Sequence, residues 1–188
     1  MKKKWIGIAI VLAVAAAACG EGRVIFNVDV FSWLGGSAKD SIQYVAPIPG
    51  TFTPATFAQK VTLVPGLGSS GIDTVKVTGS ARVTNQSGGP GSLRFQVYLA
   101  SDSAGTYTAG RDSLFSPAPS AVLTAGADTV VLPLNVPNLS PSGNALFNKS
   151  AIWIRLEATV SNTGVGAMQG KVVLTSLNLR VVVQDKLF

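Results

Sequence analysis

The sequence predicts an all-β fold, an antiparallel β-sandwich of about eight or nine strands, and three features carry that prediction. From Thr74 to Asn85, Val75, Val77, Gly79, Ala81 and Val83 alternate with Thr74, Lys76, Thr78, Ser80, Arg82 and Thr84. A period of two held over that length has no helical equivalent. A glycine-rich stretch, Gln86 to Gly91, then leads into a second alternating run, Leu93, Phe95, Val97 and Leu99, so the two runs form a hairpin. Beyond residue 20 no helical period is present, and Gly/Pro clusters punctuate the chain at short intervals, the pattern of stacked antiparallel sheets.

The other elements follow in order. Arg23 to Leu34 begins as a strand, with Phe26, Val28 and Val30 alternating with Asn27, Asp29 and Phe31 before the turn at Gly35-Gly36. Ile42 and Tyr44 mark a second strand, ended by Ala46-Pro47-Ile48-Pro49-Gly50, which no regular element easily crosses. Residues 47–58 read as an irregular connection lying against the sandwich through Ile48, Phe52 and Phe57. Val61 and Leu63 mark a third strand. After the hairpin, Ser101 to Arg111 reads as polar loop and Ser113-Leu114-Phe115 as a short strand. Asp128 to Val136 is a strand whose Pro133 has no donor to give a ladder, which assigns it to a sheet edge. Residues 137–148 are turn-rich. Ile152, Ile154, Leu156, Ala158 and Val160 then form an inward face. The last strand, Gly170 to Gln184, shifts its apolar phase between Leu174 and Leu177, so a bulge near Thr175-Ser176, or burial of both faces, is expected.

The first residues have a different logic. Lys2, Lys3 and Lys4 precede an apolar run from Trp5 and a small-residue site at Ala15 to Ala18, the order of a secretory signal peptide. The apolar stretch is shorter than the roughly 20 residues a membrane-spanning helix needs. This divides the chain into a signal helix over residues 1–18, a tether over 19–22 and a single sandwich domain over 23–188. Without the signal, twelve basic residues face nine acidic ones, and the twelve are scattered, without the clusters that track a phosphate backbone. Nucleic acid is therefore excluded as a partner. Cys19 is the only cysteine, so no internal disulfide can form and the core alone must hold the domain. Histidine is absent and only two glutamates occur, Glu21 and Glu157. That removes the commonest general base and metal ligand and predicts a protein that is not an enzyme and carries no cofactor.

The cysteine directly after Ala16-Ala17-Ala18 gives the signal a more specific form. This arrangement resembles the lipobox of bacterial lipoproteins, which implies that Cys19 is the lipidation site, receiving a diacylglycerol and, after cleavage, a further acyl chain such as palmitate. Gly20-Glu21 lacks the aspartate that retains some members in the inner membrane, which implies the outer membrane. A second resemblance covers residues 74–136: Val83-Thr84-Asn85, then Phe95 to Asp102, then Arg111 to Leu114, then Leu123-Thr124-Ala125-Gly126. These motifs are similar to those of the bacterial cell-adhesion-related domain, CARDB, which implies an immunoglobulin-like sandwich with a role in extracellular contacts.

Two groups are candidate sites. Asp102 and Asp112 bracket an oxygen-rich loop with Ser101, Ser103 and Thr106, and such loops can hold calcium; the competing expectation, which we prefer, is Asx-turn bonding to the loop's own backbone. Trp153, Arg155 and Glu157 share the outward face of one strand, with Tyr98 and Tyr107 undecided. A Trp beside an Arg suits a binding patch, although a solvated face is the commoner use of such residues. Asn85, Asn138 and Asn148 begin N-x-S sequences and receive no role as such. The expected function is a lipid-anchored, non-enzymatic interaction module of the bacterial cell envelope, its partner an envelope or surface protein. The alternative is a carrier holding a glycan or apolar molecule, with Trp33, Trp153 and the run from Ile48 to Phe57 as its lining.

Overall fold

The computed structural model describes residues 23–34, 39–63, 71–86, 89–108, 114–115, 118–124, 128–139 and 141–184. The signal segment, Cys19 and Asp112 lie outside the described residues. Among the described residues ten strands form two antiparallel sheets, the sandwich that the alternation predicts with one or two more strands than expected. Sheet A contains β1 (Arg23–Asp29), β2 (Ser41–Ala46), β5 (Gly71–Asn85), β8 (Asp128–Val136) and β10 (Met168–Gln184). Sheet B contains β3 (Gly50–Phe52), β4 (Gln59–Thr62), β6 (Gly91–Ala100), β7 (Ser120–Leu123) and β9 (Ala151–Asn162).

The pairings are nested. β1 and β2 both pair with β10, β3 and β4 with β9, β5 with β8, and β6 with β7. This is one long hairpin, its tip between β6 and β7, wound round two stacked sheets, the connectivity of a jelly roll. The two-sheet sandwich is thus the one expected, while its strand order differs from the immunoglobulin arrangement, in which other strands share each sheet. Periodicity along single strands is the same in both, which is why it selects the sandwich and not the winding.

Two outer strands are split, and the gaps are closed by the chain's own backbone. Between β1 and β2 lies a one-turn helix, Phe31–Leu34, while Val30 N–H donates to Leu177 O (2.9 Å) and Leu174 N–H to Asp40 O (2.8 Å). The expected bulge in β10 sits at this gap, where the register shifts between Leu174 and Ser176. Ser80 meets the hydroxyls of Thr175 and Ser176 there, and a side chain at Gly79 would run into the Ser176 carbonyl. In sheet B the connection between β3 and β4 is more regular than expected. Ala158 N–H donates to Pro54 O and Thr56 N–H to Leu156 O, both at 2.9 Å, so residues 50–62 line β9 along most of its length. Residues 23–63 therefore complete both sheets of the same sandwich.

Apolar side chains of both sheets form one cluster with Phe147, which follows the helix Pro141–Leu146; Tyr44, Phe95, Leu93, Ile152, Ile154, Leu156 and Phe147 are among those fully buried. Pro133 is on β8, an edge of sheet A, as its missing donor requires. Ser120–Leu123 is a strand that composition did not mark, and Pro141–Leu146 is a short helix inside the turn-rich stretch. Leu114 and Phe115 are buried without forming a strand, although Leu114 N–H donates to Val97 O.

At the end opposite Arg23, two buried asparagines fasten the loops. Asn85 Nδ2 donates to Gly89 O (3.1 Å) and Thr124 O (2.7 Å). Asn162 Nδ2 donates to Ala46 O and Gly166 O, each at 2.9 Å, while its Oδ1 accepts from Gly164 N–H. Asn85 thus has a structural role unrelated to its N-x-S match. Nearby, Tyr44 lies opposite Gly170 and donates its hydroxyl to Thr84 O on the next strand (3.0 Å). Burial pushes this phenol up to about 12 from its ordinary 10.0. The unfolded chain then ionises first as pH rises, so the stability Tyr44 provides is complete below pH 10 and is lost between 10 and 12. Urea melts over that window should show a steeper loss for wild type than for Tyr44→Phe; equal slopes would mean the hydroxyl is solvated.

Candidate functional site

The outward face of β9 was expected to present Trp153, Arg155 and Glu157 to solvent. The residues do point outward, but a loop lies over Arg155. β6 ends at Ala100 and the chain turns back through a 3-10 turn, Ala104–Tyr107, over the face of sheet B. Arg155 and Tyr98 are directly paired across β9 and β6, with Glu157 beside Gln96. Arg155 Nη1 meets Glu157 Oε2 at 2.9 Å, with side-chain exposures of only 11 and 8 %. Tyr98 Oη donates to Glu157 Oε1 at 3.2 Å. Arg155 Nη1 also donates to Thr106 O (3.3 Å), and its guanidinium stacks 4.6 Å from the centroid of the Tyr107 ring. Tyr107 Oη in turn accepts from Ala58 N–H (3.2 Å). Arg155 Nε is buried without a partner in the structure.

This is a pinning device and not an open patch. The Arg155–Glu157 pair holds the 3-10 turn to the sheet, and Tyr107 ties that turn to the chain entering β4. Trp153, half-buried, stands opposite Lys60 and Ala100 and takes no part in the ion pair. The sequence does carry a signal for the cover. Val97, Tyr98, Leu99 and Ala100 are all buried, and a run with no polar alternation marks a strand end enclosed on both sides.

Asp102 Oδ1 accepts from Gly105 N–H (2.8 Å) and Oδ2 from Ser101 Oγ (3.4 Å). That is the local Asx-type bonding preferred from sequence. Among the described residues no three His, Cys, Asp or Glu side chains converge as a metal site.

The grooves described lie on the surface. One of about 470 Å³ runs where the split edges of the two sheets meet, between Ser41, Ile42 and Gln43 of β2 and Ala55, Thr56 and Phe57 of the β3–β4 connection. Phe57 is 84 % exposed at its rim. A second, of about 300 Å³, lies on the outer face of sheet A beside Gln43, Gln86, Gln169 and Lys171. Trp33 and Trp153 line neither of these two grooves; Trp33 follows β1 of sheet A and Trp153 belongs to β9 of sheet B.

No protein-family model and no curated protein matches the chain. Solved structures with a similar arrangement include infectious bursal disease virus, Gx strain, at 17% identity and TM-score 0.45, covering 88% of this chain and 34% of that one. The xylan-binding module CBM15 aligns at 14% identity and TM-score 0.33, covering 85% of this chain and 97% of that module. TmCBM61, solved with beta-1,4-galactotriose, aligns at 10% identity and TM-score 0.32, covering 82 and 80% of the two chains. The chain spans about a third of the length of the viral chain it matches. TM-scores this low assign it no ligand and no partner.

Proposed function

We propose that the chain is a lipid-anchored, non-enzymatic binding module of the bacterial cell envelope, held at the outer membrane through Cys19 and engaging an envelope or surface protein. One observation carries the reading: sheet A begins at Arg23, four residues past Cys19. An extended segment of that length spans at most about 14 Å, so acyl chains on Cys19 would hold the sandwich against the membrane surface. A second acyl chain makes such attachment stable. The absence of histidine, and the engagement of Glu157 with Arg155 and Tyr98, support binding over acid–base chemistry.

A second reading is favoured by the groove at the split edges, where the exposed ring of Phe57 stands beside the hydroxyl and amide groups of Ser41, Gln43, Thr56 and Gln59. An aromatic face flanked by such groups suits a glycan.

Both readings are tested in one series on intact cells. Wild type should take up labelled palmitate, sediment with membranes and give reproducible crosslinks to an envelope protein. Cys19→Ala should lose the label, become soluble and lose the crosslinks. A Cys19→Ala protein that stays membrane-bound overturns the anchor. Retention by isolated envelope polysaccharide, lost in Phe57→Ala with protein crosslinks absent, would replace the first reading with the second.

A further inference from the structure

The outer face of sheet A is unusual in its charge. By register, Arg23, Lys76, Arg82, Lys171 and Arg180 all point outward from it. Asp29 is the acid on its paired positions, with Asp73 at the register shift between Val182 and Val183 on its rim. Lys76 and Arg180 stand directly opposite each other on β5 and β10, and like charges so placed repel across a sheet. Among the described residues no carboxylate forms a salt bridge with either. Between them lies a shallow groove of about 230 Å³ bordered by Asn27, Thr78, Asn178 and Leu179. Two cations, two amides and a hydroxyl around one depression are a donor set for an anion such as phosphate.

The position of this cluster names its occupant. Arg23 opens β1 and pairs with Gln184, so it marks the end of the sheet where the chain enters. Lys76 and Arg180 are four residues further along the strands, roughly 13 Å at about 3.3 Å per residue. The segment from Cys19 to Arg23 has a similar maximum reach. Ile25, 48 % exposed, faces outward between Arg23 and this pair. Resting on the anchored reading above, we propose that this end of sheet A lies flat on the bilayer holding Cys19, with Arg23, Lys76 and Arg180 on anionic phospholipid headgroups and Ile25 in the interface. The phosphate of a headgroup fills the groove and relieves the Lys76–Arg180 repulsion. Sheet B then faces away from the membrane, and the groove beside Phe57 opens at the side of the sandwich.

The test uses the chain from Gly20 onward without lipid, which contains every strand of both sheets, in co-sedimentation with phosphatidylcholine vesicles prepared with and without phosphatidylglycerol. Binding should require phosphatidylglycerol and weaken as salt is added. Each basic residue near such a surface is worth about 1 kcal/mol, so Lys76→Ala/Arg180→Ala should lower the partition coefficient about 30-fold. Lys60→Ala/Arg94→Ala, two cations on the outer face of sheet B, should change it less than about twofold. Thermal melts establish that both variants remain folded. Equal binding without phosphatidylglycerol, equal loss in the two variants, or retention by a soluble acidic polysaccharide in place of vesicles overturns the proposal. Because this chain lacks Cys19, vesicle binding is read independently of acylation. Loss of the anchor in cells with vesicle binding intact would fault only the anchored reading.

Discussion

Glu157→Ala should destabilise the protein by about 3 kcal/mol or more, a fall in Tm of roughly 6–12 °C for a domain of this size. The cost comes from what remains. Arg155 keeps its carbonyl bond to Thr106 and its stacking on Tyr107, but it stays almost wholly buried with no carboxylate 2.9 Å away. An uncompensated buried charge is far more costly than the intact pair is favourable. Tyr98 loses its bond to Glu157 in the same step. The damage should also have a place: the turn over residues 104–107 should detach from sheet B and exchange its amide hydrogens faster, while the far-end loops around Asn85 and Asn162 keep their protection. Replacing both partners, as Arg155→Met with Glu157→Leu, should recover most of the loss, because it removes the need to desolvate two charges. A Glu157→Ala loss under about 1 kcal/mol would mean that the pair behaves as an ordinary surface salt bridge.

The sheets were legible because their information is local. Alternation along Thr74 to Asn85 and Leu93 to Leu99 encodes which side chains face inward, and the structure buries Val75, Val77, Ala81, Val83, Leu93, Phe95, Val97 and Leu99. Pro133 on an edge was readable from its missing donor, and the change of phase near Thr175 narrowed that stretch to a bulge or burial of both faces, of which the register shift is the first. The winding was not legible, because it depends on which distant strands pair. β1 with β10 and β3 with β9 join residues far apart in the chain, and no single strand encodes its partner. The site was half legible. Arg155 and Glu157 were placed on the correct face, but the loop lying over Arg155 comes from residues 104–107, whose composition reads as solvent-exposed. The basic face of sheet A was hidden for the same reason. Arg23, Lys76, Arg82, Lys171 and Arg180 are isolated in sequence, and only strand register collects them.

Gly170→Ala should be comparably damaging, with a loss of about 2–3 kcal/mol or more from overpacking, and its cause can be separated into two parts. A methyl group at this position would collide with the carbonyl of Thr84 on β5 and would meet the Tyr44 hydroxyl at 2.5 Å and its ring carbon at 2.8 Å. The aromatic ring is a side chain and can be removed, whereas the Thr84 carbonyl is part of sheet A. Tyr44→Ala alone should also destabilise the protein, since Tyr44 is among the largest fully buried side chains. Combining it with Gly170→Ala should therefore fail to rescue the glycine variant. If the double variant were instead more stable than Tyr44→Ala alone, the new methyl group would be filling the space left by the ring, and the backbone approach of β5 to β10 would not be what requires glycine. Urea denaturation of the two single variants and the double variant completes the cycle. The glycine has negative or extended backbone angles open to any residue, as no positive φ is found there, so the effect reads steric contact between strands without a contribution from backbone strain. That contact lets Tyr44 cross over β10 to the Thr84 carbonyl and close the end of the sandwich farthest from Arg23.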